Sequence, residues 1–158
     1  MRRNLLSSIV AAALLPAGFL CAAPGAGSSP AQYLSQIDEQ TYQIQTQADR
    51  LERFVRSGAH GGNDSAGYTY GMTEGAQKLL ALLDQIAAQP SATNDTRLQV
   101  KKMKLMTAEL MAFSGDAFDE LETPALALHA ENVVANTANI EARCNMIRGA
   151  AQDLFVAR

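Results

Sequence analysis

The chain has no tryptophan, only two cysteines and two histidines, and five prolines in 158 residues. Each scarcity removes a class of function. There is no C-x-x-C-H for covalent c-type haem. A di-iron bundle needs a glutamate three residues before a histidine, and neither His60 nor His129 has one. A zinc site from His60, His129 and Cys144 is opposed by the distance along one helix between His129 and Cys144. No G-x-S-x-G, glycine-rich phosphate loop or helical zinc-protease motif occurs. No nucleophile–base pair or carboxylate dyad can be placed, so the chain is expected not to be an enzyme. Strand signals are nearly absent as well.

What is present begins with a leader. Arg2 and Arg3 precede an apolar run from Leu5 to Leu20, and the small residues of "CAAPGAGSS" follow. This is the layout of a cleavable secretory signal peptide over residues 1–25, with cleavage after Ala23 or Gly25. The run is short for a membrane span and Pro16 interrupts it, so no stable span is expected after cleavage. Leu20 before Cys21 departs from a lipobox, which argues against a lipid anchor. The rest of a twin-arginine motif is missing after "RRNLL". Cleavage removes two of the 13 basic residues and none of the 16 acidic ones, leaving a net charge of −5. Such a protein has no general attraction to nucleic acid or anionic membrane. Cys144 then stands alone, no internal disulfide can form, and the core must hold the fold. The expected location is the periplasm or the medium.

Residues 26–158 carry four apolar seams stepping by three and four. The first is Leu34, Ile37, Thr41, Ile44, Ala48, Leu51 and Val55; the second is Met72, Ala76, Leu79, Leu83 and Ile86. The third runs Val100, Met103, Thr107, Leu110, Ser114, Ala117 and Leu121. The fourth runs Leu126, Ala130, Val133, Thr137, Ile140, Cys144, Ile147, Ala151 and Leu154. Each puts an apolar stripe on one helix face that must be buried. Helices are predicted over about 31–57, 67–89, 95–121 and 124–156. Asp64 or Ser65, Asn94 or Asp95, and Thr123 with Pro124 at the first helical position are the expected starts. That role also accounts for the glycosylation-like triplets "NDS" and "NDT". Gly115 is a weak point where the third helix kinks or restarts. Short connections make successive helices antiparallel neighbours. The fold class is all-α: an antiparallel up-down-up-down four-helix bundle after a cleavable signal peptide.

That topology gathers one end of the bundle, where His60, Tyr68, Tyr70, Met72, Phe113, Phe118 and His129 form a candidate ligand pocket. Asp116, Asp119, Glu120 and Glu122 arrive there opposite Arg50, Arg53 and Arg56. The plainer account is a capped core with surface ion pairs. Two polar rows form a second candidate surface. Gln36, Gln40, Gln43 and Gln47 lie on the first helix, and His129, Asn132, Asn136, Asn139 and Arg143 on the fourth. Both occupy the c and g heptad flank, so for one of the two bundle hands they face each other. Asparagine is a poor helix former, so propensity does not account for the second row. A solvated face with amides bridging helices is the plain alternative. Cys144 and the methionines of the third helix read as core filling, and Arg97, Lys101, Lys102 and Lys104 as a solvated basic face. The expected function is non-enzymatic binding of an envelope protein or small molecule, with no cofactor and a homodimer left open. The alternative is a haem or a metal held non-covalently by His129, with Met72 or His60 as second ligand.

Overall fold

The structure is a computed structural model that describes residues 28–58, 63–122 and 126–156. The leader, His60 and the expected Thr123–Pro124 start lie outside the described residues. Among those described there are four helices and no strand: α1 (Pro30–Arg56), α2 (Asn63–Ala88), α3 (Asn94–Leu121) and α4 (Leu126–Phe155). No helix among them is long and apolar enough to cross a membrane.

Local chemistry explains most of the ends. Ser29 opens α1 with a capping box: its Oγ accepts from the Gln32 amide, and its own amide donates to Gln32 Oε1 at 2.7 Å. Pro30 follows where a missing N–H costs nothing. Gly58, at φ +73°, takes the left-handed conformation that ends α1. The start of α2 departs from expectation, because Asp64 and Ser65 lie inside the helix instead of capping it. Asp64 sits in the first turn, where a carboxylate suits the helix dipole. Ser65 is buried on the seam. Thr93, rather than Asn94 or Asp95, caps α3, its Oγ1 accepting from the Thr96 amide at 3.1 Å. The helix runs unbroken through Gly115.

Cross-helix pairs establish the topology. Ile44 and Gln47 of α1 lie against Gly75 and Gly71 of α2, so numbers rise on one helix as they fall on the other. The same reversal links α2 to α3 (Thr69 to Ser114, Asp84 to Lys104). It links α3 to α4 through Glu109–Arg143 and Glu120–Asn132. Tyr33–Phe155 and Gln45–Asn145 close the ring between α1 and α4. Among the described residues each helix lies beside two neighbours, and no diagonal pair brings Cα atoms within 8 Å. These are four helices in the antiparallel order 1-2-3-4.

The described seam residues are buried as their spacing requires, apart from half-buried Ala130 and with two adjustments. Tyr33, not Leu34, takes the first buried position of α1 at 4% exposure. A straight helix of about 3.6 residues per turn drifts off a 3.5 repeat, and near its end the drift moves the stripe by one residue. The α2 seam also extends back through Thr69 to Ser65. The core falls into two clusters, one around Leu51, Met72, Leu110 and Ile140, the other around Ile37, Leu83, Met103 and Ile147. Thr41 and Thr107 hold the seam positions between them, both fully buried. Their hydroxyls donate to the Ile37 and Met103 carbonyls of their own helices at 2.9 Å, which satisfies them without a cross-helix partner.

Candidate functional site

The end of the bundle expected to form a pocket is divided instead. Heptad phase is the reason. Met72 lies on the seam and is fully buried in the core, away from solvent. Tyr68 and Phe113 stand one residue before a seam position and pack half-buried against the same cluster; Tyr68 meets Phe54 edge to face at 6.1 Å. Tyr70 and Phe118 stand one residue after a seam position and point outward. With Thr73, Ser114 and Gly115 they line a shallow groove between α2 and α3. His129 belongs to a different groove, between α3 and α4. Met72 and His129 are therefore not brought together. The expected opposition of Arg50, Arg53 and Arg56 to the acidic end of α3 yields no ion pair among the described residues, and Arg50 lines the α1–α2 groove. Arg53 and Arg56 pair with Asp49 and Glu52 of their own helix.

The two polar rows are likewise separated. Gln43 and Gln47 line a groove between α1 and α2, and the space left by Gly71 accommodates the Gln47 side chain. Gln43 Nε2 donates to Glu39. Gln36 and Gln40 keep their Oε1 atoms out of solvent without a donor among the described residues. The α4 row turns the other way, toward α3. His129 Nδ1 contacts Glu120 Oε2, Asn132 Nδ2 donates to Glu120 Oε1 at 3.1 Å, and Arg143 Nε pairs with Glu109 Oε2 at 2.6 Å. Asn139 is exposed. Glutamines and asparagines thus face different neighbours, and this bundle takes the hand that keeps the rows apart. Gln45 and Asn145, outside both rows, make the direct α1–α4 amide contact at 3.2 Å.

The groove between α3 and α4 is lined mainly by polar and acidic side chains. Asp116, Asp119, Glu120, His129, Asn132 and Asn136 line an open space of about 600 Å³. His129 and Glu120 are each about one-third exposed or less, and their pairing fixes the rim. No group of three or more metal-ligating side chains with metal geometry occurs among the described residues. Cys144 is buried, and burial pushes its thiol up to about 12, so it is protonated and inert at neutral pH. Glu141 is also raised above its ordinary range, first by burial and then by Asp49, which bonds and repels it, with Glu52 adding further repulsion. Three carboxylates thus crowd the α1–α4 boundary.

Sequence reasoning overlooked the opposite end. There Tyr33, Ile86, Gln89, Ala92, Leu154 and Phe155 surround a pocket of about 340 Å³. Its aromatic wall is Tyr33 stacked on Phe155, ring centres 6.2 Å apart and 18° from parallel. The signal lay in placing Leu34 instead of Tyr33 on the seam; with Tyr33 there, an aromatic faces the bundle axis at this end. Comparison with protein-family models, curated proteins and solved structures gives no match, so the residues and their geometry alone carry the functional reading.

Proposed function

We propose that the chain is an exported, non-enzymatic bundle of the bacterial cell envelope that binds a partner protein in the α3–α4 groove. The observation that supports this is the convergence of His129, Asn132 and Asn136 with Asp116, Asp119 and Glu120 around one open polar space. Amides there offer both donors and acceptors, and the carboxylates favour a partner face rich in basic groups and N–H donors. The groove is too open to enclose a small molecule, whereas a polar protein surface can cover it. Export is supported by the basic, apolar and small-residue order of residues 1–25.

A photocrosslinking residue in place of Asn136, with the protein produced in its exporting cell, should give one discrete adduct. The same residue in place of Gln77, exposed on α2, should give none. Asn132→Ala should weaken the adduct at Asn136 and leave the melting temperature unchanged. Absence of the adduct, or the same adduct from both positions, would overturn the proposal.

A further inference from the structure

The pocket at the opposite end has a chemistry of its own, independent of the α3–α4 groove. Its volume of about 340 Å³ lies within the range of small-molecule sites, roughly 300–1,000 Å³. In a chain with 18% charged residues, none of the described residues lining it is charged. An ionic ligand would lose its hydration there without gaining a counter-charge. The walls are Ile86, Leu154 and the stacked Tyr33–Phe155 pair, which suit a flat apolar body.

Two hydrogen-bonding groups at this surface are incompletely used. Gln89 Nε2 donates to the Tyr33 hydroxyl oxygen at 2.9 Å and to the Gln85 carbonyl at 3.4 Å. A carbonyl can only accept, so this fixes which end of the Gln89 amide is nitrogen. Gln89 Oε1 is then an acceptor with no donor among the described residues. The Tyr33 hydroxyl accepts from Gln89, and its own proton has no acceptor among them. One free donor and one free acceptor therefore stand side by side on an aromatic-walled pocket whose described lining carries no charge.

We infer that this pocket binds a neutral aromatic molecule carrying an adjacent carbonyl and N–H, as in a primary carboxamide or a lactam. The ligand carbonyl accepts from Tyr33 Oη–H, the ligand N–H donates to Gln89 Oε1, and the ring packs on Tyr33 and Phe155. Each bond only exchanges for one that the same groups make with water in solution, so the apolar ring supplies most of the affinity and the amide edge supplies selectivity.

The test uses the exported protein and benzamide as probe, followed by amide NMR. Saturable shifts should appear at the Gln89 side-chain amide and at the backbone of Thr96 and Leu154. Tyr33→Phe keeps the ring and should weaken benzamide by about five- to tenfold while leaving toluene unaffected. Benzoate, the charged analogue, should bind far more weakly than benzamide. Ser91→Trp, a plug at the exposed rim, should abolish both ring probes. If Tyr33→Phe lowers the melting temperature, Gln89→Leu carries the same test by removing the acceptor. Failure of benzamide to shift these signals, equal binding of benzoate, or unchanged benzamide affinity in the hydroxyl or amide variant would overturn the inference. Because Asn136 lies at the other end, its photocrosslinking result is unaffected by any of these outcomes.

Discussion

The two ends of this bundle hold unequal numbers of described aromatic side chains, five against two, and use them in opposite ways. At the end where α1 meets α2, Phe54, Tyr68, Tyr70, Phe113 and Phe118 all stand one residue off a seam. They pack along flanks or project outward, and the space between helices fills with core. At the other end Tyr33 stands on the seam, stacks on Phe155 and walls an uncharged pocket. Carboxylates concentrate toward the first end, and none is among the described residues lining the second. The lesson is that the phase of an aromatic relative to its seam decides whether it builds a cavity or covers a flank. Proximity to the end of a helix does not.

The sharpest way to break this comparison is at Met72 and Tyr70, two residues apart on α2. Met72→Ala should cost about 2–5 kcal/mol, because it empties a fully buried site in the cluster around Leu51, Leu110 and Ile140. Tyr70→Ala, at a side chain 71% exposed, should change stability by no more than about 0.5 kcal/mol. Urea titration of both variants reads the contrast. Similar costs would mean that Tyr70 is part of a packed end.

Glycines give the next largest effect. A Cβ at Gly75 would lie 2.7 Å from Ile44 Cγ1, inside the core contact between α1 and α2. Gly75→Ala should therefore destabilise by about 1–3 kcal/mol, the strain exceeding the gain in helix propensity. At Gly115 a Cβ would meet nothing within 4 Å, so Gly115→Ala should stabilise by about 0.5–1 kcal/mol. Thermal melts that moved in the same direction for both would contradict the close approach of these two helices.

The smallest effect concerns charge. The fold raises the pKa of Glu141, so it favours the protonated carboxyl over the ionised one. The favourable contribution is full below the ordinary value of 4.5 and is lost as pH rises through the raised folded value. At pH 7 the ionised Glu141 opposes folding. Glu141→Gln should accordingly raise the urea midpoint at pH 7, and the gain should fade as the pH drops below about 4. A gain that grew on acidification would show that Asp49 and Glu52 do not repel this carboxylate.

Much of the architecture is legible in the chain because burial obeys local periodicity. Ile37, Thr41, Ile44, Ala48, Leu51 and Val55 are all buried on α1, and the described side chains of the later seams follow suit except Ala130, which packs half-buried at the start of α4. Cys144 as a small buried hydrophobe was equally legible, since it falls on a seam. Helix starts were harder. Asn, Asp, Ser and Thr lie together near both α2 and α3, and several can cap, so composition does not choose among them. Of the candidate sites, the polar lining of the α3–α4 groove was half visible as the row of His129, Asn132 and Asn136. Its acidic side, Asp116, Asp119 and Glu120 of α3, was expected at the same end as His129 but not beside the asparagine row. The uncharged pocket was invisible because Gln89, Ser91 and Phe155 have no distinguishing spacing, and because one residue of drift hid Tyr33.

The heptad seams by themselves determined four helices and their buried faces, because each stripe is fixed by about 3.6 residues per turn and must leave water, and the short connections made them antiparallel. They were silent on the hand of the bundle, since the c and g flank of a helix looks the same whichever neighbour it meets. Packing decided that. Gly71 and Gly75 let α2 approach α1 along the flank that carries Gln40 and Gln47, so the glutamines face α2. Asn132, His129 and Arg143 are left to Glu120 and Glu109 of α3. Which residues share a groove, and therefore what the protein can hold, depends on that one choice between two arrangements with identical local geometry.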